Sequence, residues 1–172
     1  MKRKNLIVLP LHGFESEIGR WLWCLEDIRR TLLEKISGIS QQQLDTEVIG
    51  HSIGSLLYHI ALIEADWLYE EVLGGKWNPN IRTLFPQEDR NDDDTLSSVK
   101  GQNLDEHLHR LQCVRDELLF HFRTMDLEDW RTSRSLIHYD VTPEWVIYHL
   151  LEHESHHRGQ IFQMLENLKR KN

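Results

Sequence analysis

Apolar residues recur at helical spacing in four stretches of this chain, separated by polar, glycine- or proline-bearing segments. In the first stretch Ile18, Leu22, Leu25, Leu32 and Ile36 share one face, with Trp21 and Trp23 beside it. The spacing predicts a helix from Ser16, read as its cap, to Ile36, closed by Gly38 and the polar run Ser40-Gln41-Gln42-Gln43. In the second, Ile53, Leu56, Leu57, Ile60, Ile63 and Trp67 give a helix from about Ser52 to Leu73, stopped by Gly74-Gly75. His59 lies within that apolar face.

A long connection covers about Gly74 to Thr95 and holds the acidic run Asp92-Asp93-Asp94. That run lacks the turn glycine and distal glutamate of a calcium loop and reads as solvated. Leu104, Leu108, Leu111, Leu118 and Phe122 set a third helix over about Leu96 to Met125, with His107, His109 and His121 on its flanks. The fourth has the clearest start: Thr142 as cap, Pro143 at the first helical position, Glu144 in the first turn. It should reach about Lys169. Four amphipathic helices without a convincing strand pattern predict an all-α chain, a four-helix bundle with long connecting loops, as one domain over 1–172. Handedness and crossovers stay open at this point.

Composition narrows the function. Lys plus Arg total 20 against 28 Asp plus Glu, a net charge of -8, which disfavours non-specific nucleic-acid binding. Cys24 and Cys113 make no disulfide framework and read as small buried thiols, although Cys24 on the first helix could approach a central cavity. The basic start Met1-Lys2-Arg3-Lys4-Asn5 precedes only a short apolar run broken by Pro10, so a signal peptide is not expected. No stretch nears a membrane span in length. A cytoplasmic location follows as the default expectation.

The fourth helix carries the candidate chemistry. His149, His153 and His157 repeat every four residues on the stripe that also holds Val146, Leu150, Ile161, Met164 and Leu168. Residues four apart share a helix face, so a His-x-x-x-His pair can approach one ion. All three cannot, since two turns separate His149 from His157 by ~12 Å. The third ligand must come from another helix, and His59 is the best donor on pattern. A lone histidine on an apolar face is more often a satisfied core residue; it is the conjunction that points to a metal. Three imidazoles would leave an open position for water or substrate, and they suit zinc, nickel, cobalt or iron alike. His149 and Gln160 are candidates for a supporting role beside the ligands. His156 should lean off the stripe, Arg158 should pair at a surface, and Gly159 should permit close helix approach.

Two segments, Ser52 to Glu64 and His149 to Ile161, together resemble the DinB-like proteins, bacterial four-helix metalloproteins related to the YfiT-type metal-dependent thiol transferases. Gly19-Arg20-Trp21-Leu22-Trp23 and Leu25 to Arg29 resemble one subgroup, and the likeness spans about Ser16 to Leu168. It implies that His59, His153 and His157 ligate a divalent metal. It also implies an up-up-down-down order of helices and, commonly, a homodimer. Six tryptophans, more bulk than one core plainly needs, agree with a dimer.

The expected activity is that of a metal-dependent enzyme on a small molecule, most concretely S-transfer from a low-molecular-weight thiol such as bacillithiol. Amide or ester hydrolysis by metal-bound water is the alternative enzyme class. A non-catalytic, stress-associated metal protein is the third reading. It draws on the lack of an evident general base, since Glu64 sits about 140° round its helix from His59. Neither a nucleic acid nor a membrane is expected as partner.

Overall fold

The computed structural model describes residues 6–48 and 50–170; the basic start Met1–Asn5 lies outside them. Ser16–Ile36 form α1, followed by a short α2 at Gln41–Asp45. Ile53–Asp66 form α3, which continues as a π-helical segment over Trp67–Val72. Then come α4 at Pro79–Arg82, α5 at Leu104–Phe122 and α6 at Leu127–Arg131. Strands β1, Arg134–Ser135, and β2, Asp140–Val141, pair antiparallel ahead of α7, Pro143–Arg170. The long helices α1, α3, α5 and α7 make the bundle.

Local chemistry explains the boundaries. Glu15, not Ser16, caps α1: its carboxylate accepts from the Glu17 and Ile18 amides. α5 starts at Leu104 and not at Leu96, because Asn103 and Glu106 form a reciprocal capping box. The preceding residues run extended, and the Val99 amide donates to Ser55 Oγ. The Thr142 hydroxyl accepts from the Trp145 amide, as expected for α7. The two-residue hairpin and the short α2, α4 and α6 have too few residues to show a period.

Helix directions follow from which residues meet. Arg29, Thr31 and Lys35 of α1 pair with Glu154, Arg158 and Glu166 of α7, so these two run parallel. His59 and Trp67 of α3 and its π extension face His157 and Trp145, so α3 opposes α7. Gly54 abuts His107, Glu64 binds Arg115 and Tyr69 binds Glu117, so α3 and α5 run parallel. The order is therefore up-down-down-up, not the up-up-down-down that the resemblance implies. A parallel step between consecutive helices needs a connection that travels the bundle length, and the long 73–103 segment supplies it.

Every stripe residue named for α1 is buried, as are Val146, Leu150, Ile161, Met164 and Leu168 of α7. The bundle centre is nevertheless ionic. Arg29 of α1 binds Glu64 of α3 at 2.7 Å and Glu154 of α7 at 2.5 Å. Arg115 of α5 binds the same two carboxylates at 2.6 and 2.9 Å, and Glu26 at the rim. Each bundle helix thus contributes one buried charge to a closed set. Burial works to raise Glu64, but Arg115 and Arg29 overcome it and hold the carboxyl below its usual range. Two close approaches rest on glycine: a Cβ at Gly54 would lie 3.2 Å from His107 Nε2, and one at Gly19 would lie 3.0 Å from the Leu11 amide nitrogen. Gly159 has nothing within 4 Å of such an atom, so the expected close helix approach there does not occur.

Among the described residues no helix is long and apolar enough to cross a membrane. His107 is buried, not on a flank, and desolvation followed by the Arg110 charge lowers it to about 4. Cys24 and Cys113 are half-buried rather than enclosed.

Candidate metal centre

α3 and α7 run antiparallel, and their facing stripes bring His59, His153 and His157 together. One ring nitrogen from each lies within 4.8 Å of the other two. His59 Nε2 and His153 Nε2 are 3.0 Å apart, and the His153 and His157 ring centroids are 4.4 Å apart. His59 is buried and the other two are partly so.

Two neighbours fix the rings. His59 Nδ1 meets Asp89 Oδ1 at 2.5 Å, so its proton sits on Nδ1 and the Nε2 lone pair faces its partners. His157 Nδ1 meets Gln160 Oε1 at 2.7 Å, which turns its Nε2 the same way. Gln160 thus holds the supporting place expected of it. Desolvation, then the neighbouring His157 and His59, pushes His153 down to about 2. Desolvation likewise takes His157 to about 4, against a hydrogen bond from Gln160 that works upward. His153 and His157 are therefore neutral at pH 7, the form that ligates. The donor set, ring nitrogens from two antiparallel helices with two of the three rings fixed from behind, fits a divalent transition metal.

The remaining histidines sort as follows. His149 does not join the cluster: its ring stacks on Trp145, 5.2 Å away and 5° from parallel, and against Trp67 at 4.3 Å. Its centroid is 5.9 Å from that of His153, and burial lowers its pKa. His156 is exposed and meets His157 only edge-on, so it leans off the stripe as expected. Arg158 donates to Thr31 across the α1 interface. Cys24 is not among the residues that converge on the cluster. Glu64 is committed to Arg29 and Arg115 and is not available as a base.

Sequence reasoning missed two neighbours. Asp89 lies in the long loop, thirty residues from His59, and a lone carboxylate in a polar loop carries no pattern. His51, just ahead of α3, lies close enough that its charge and those of His59 and His157 disfavour one another.

The family described as Mycothiol-S-transferase matches residues 22–166. The chain belongs to that family. The match takes in α1 from Leu22 onward, all of α3 and α5 and nearly all of α7, and so includes all three histidines and the residues that fix two of their rings. Membership agrees with the DinB-like bundle. No curated protein matches this mycothiol-S-transferase family member.

Proposed function

We propose that this protein is a metal-dependent enzyme that transfers the sulfur of a low-molecular-weight thiol to a small electrophile, with His59, His153 and His157 as the metal ligands. The observation that carries the reading is the convergence of three imidazoles, each from a long helix, with Asp89 and Gln160 fixing two of them. A divalent ion bound there would supply a Lewis acid that favours the thiolate over the thiol. The protein's own residues do the rest. Asp89 and Gln160 hold the lone pairs inward. In this reading His51, whose pKa burial and then the His59 charge lower, takes the thiol proton. The sulfur then bonds to the electrophilic carbon, and the electron pair leaves with the displaced group. The three-histidine set leaves room in a divalent ion's coordination for the thiol.

Membership in the family supports a thiol substrate, with mycothiol as the first to test and bacillithiol beside it. The test is a conjugation assay on zinc-, nickel-, cobalt- and iron-loaded protein, with mycothiol, bacillithiol and cysteine against a panel of electrophiles. Thiol-dependent product formation that requires His153 is expected. Amide or ester turnover without any thiol would overturn S-transfer in favour of hydrolysis. No turnover of any kind, with a thiol or by hydrolysis, would remove the enzyme reading and leave a metal-binding protein.

A further inference from the structure

Beside the histidine cluster, the start of the π-helical segment, the hairpin and the first turn of α7 enclose a cavity of about 180 Å³ lined by Trp67, Tyr139, Asp140, Val141 and Trp145. Nothing above gives it a role. Its walls are aromatic: Trp67 lies 6.4 Å from Tyr139, nearly parallel, and 5.2 Å from Trp145. Its charge is of one sign. Asp140 is part of the lining. Behind Tyr139, whose hydroxyl donates to Glu71 Oε1 at 2.5 Å, the Glu71 carboxylate is buried, and its Oε2 has no hydrogen-bond partner among the described residues. No lysine or arginine lines the space; Arg134, opposite Val141 in the hairpin, is not part of the wall, and its buried Nη1 also has no hydrogen-bond partner among the described residues.

Aromatic faces carry negative quadrupoles, and rings grouped around a small space with carboxylates behind them favour a weakly hydrated cation. A buried carboxylate oxygen without a donor adds to that field and is costly unless positive charge approaches. The volume is below that of a site for a whole ligand, ~300–1,000 Å³, so the cavity takes a head group and not an entire molecule. We propose that this aromatic cavity is a subsite for an alkylammonium group, quaternary or protonated, carried by a small molecule. The His149 ring lies between the subsite and the cluster, 4.3 Å from Trp67 and 5.9 Å from His153 by ring centroids. A molecule with its cation in the cavity can therefore extend its other end to the histidines. The proposal goes beyond the S-transfer reading and does not depend on it.

The experiment is calorimetric titration of the full chain with choline and, separately, with 3,3-dimethylbutan-1-ol, its uncharged isostere. Choline should bind at least ~10-fold more tightly, the ratio that ~1.4 kcal/mol of cation–π attraction gives. It should also perturb tryptophan emission. Trp67→Leu should abolish binding. Trp145→Leu tests the same cavity at an exposed position if Trp67→Leu does not fold, and it should lower affinity by ~5-fold or more. His153→Ala should leave choline binding intact, because the cation does not touch the cluster. Equal binding of the two probes would show a merely apolar cavity and overturn the proposal. So would no choline binding at millimolar concentration, or its loss in a folded His153→Ala protein.

Discussion

At the residue scale, the histidines differ more by neighbours than by spacing. His149 and His157 lie equally far from His153 along the same helix, yet two tryptophans take His149 into an aromatic stack while Gln160 turns His157 inward. His156→Ala should therefore leave metal stoichiometry unchanged by elemental analysis, and His149→Ala should leave it intact with a modest change in affinity. The Asp89–His59 contact makes a finer claim. Asp89→Asn keeps the size but removes the charge that holds the His59 proton on Nδ1, and metal affinity should fall ~10–100-fold in a competition titration. Affinity equal to wild type would show that His59 is oriented by packing alone. The three clustered histidines were legible because repeated imidazoles on an apolar stripe are rare and costly. Asp89 was not, because loop geometry brings it from thirty residues away.

His107 offers a test away from the cluster. Its folded-state pKa, about 4, lies below the ordinary value of about 6.5. Between those values the unfolded chain binds a proton that the folded chain refuses. Stability from this group is thus full above about pH 6.5 and falls as pH drops toward 4, by about 3 kcal/mol across the window. Urea titrations of the metal-free protein at several pH values should show that slope added to the one that His153 and His157, lowered in the same way, contribute, and His107→Gln should remove its share and leave theirs. An unchanged slope in the variant would place the titration elsewhere.

At the element scale, the long helices were readable and their ends were not. Residues 53–73 read as one α-helix, since a hydrophobic pattern does not reveal that the last turn and a half is wound as π. That winding matters, because it sets where Trp67, Tyr69 and Glu71 project. The start of α5 was missed although Asn103 and Glu106 stand at capping-box spacing; the apolar residues Leu96 and Val99 invited an earlier start. Asn103→Ala should lower stability by ~1 kcal/mol in chemical denaturation without shifting metal affinity. A drop beyond ~3 kcal/mol would mean that the cap also anchors the extended segment before it.

At the scale of the whole molecule, a closed set of four charges ties the four bundle helices together. Each member sits where the helical period calls for an apolar residue: Arg29 between Leu25 and Leu32, Arg115 between Leu111 and Leu118, Glu154 after Leu150, Glu64 after Ile60. That coincidence in four helices was visible in the sequence, but only the packed bundle says that the charges meet. Removing Glu154 leaves two buried guanidiniums sharing the one charge of Glu64, so Glu154→Ala should cost ~3–5 kcal/mol in denaturant titration. A loss under ~1 kcal/mol would show that water enters and replaces the carboxylate. The order of helices was hidden for a similar reason: periodicity fixes faces, while direction comes from pairs such as Lys35 with Glu166. The expected homodimer rests on the resemblance and on tryptophan bulk, and of the six tryptophans only Trp130 is wholly enclosed. Light scattering at micromolar protein should give the mass of two chains; a monomer mass contradicts it.

The central claim is that His59, His153 and His157 together hold a divalent ion. Anomalous diffraction from crystals of zinc-loaded protein, collected on both sides of the metal edge, tests it most directly. The account predicts a single peak ~2.0–2.1 Å from one nitrogen of each of these three rings, with His149 outside bonding distance. A peak shared by His149 and His153, or a folded, zinc-saturated protein with no peak among the three rings, would contradict it.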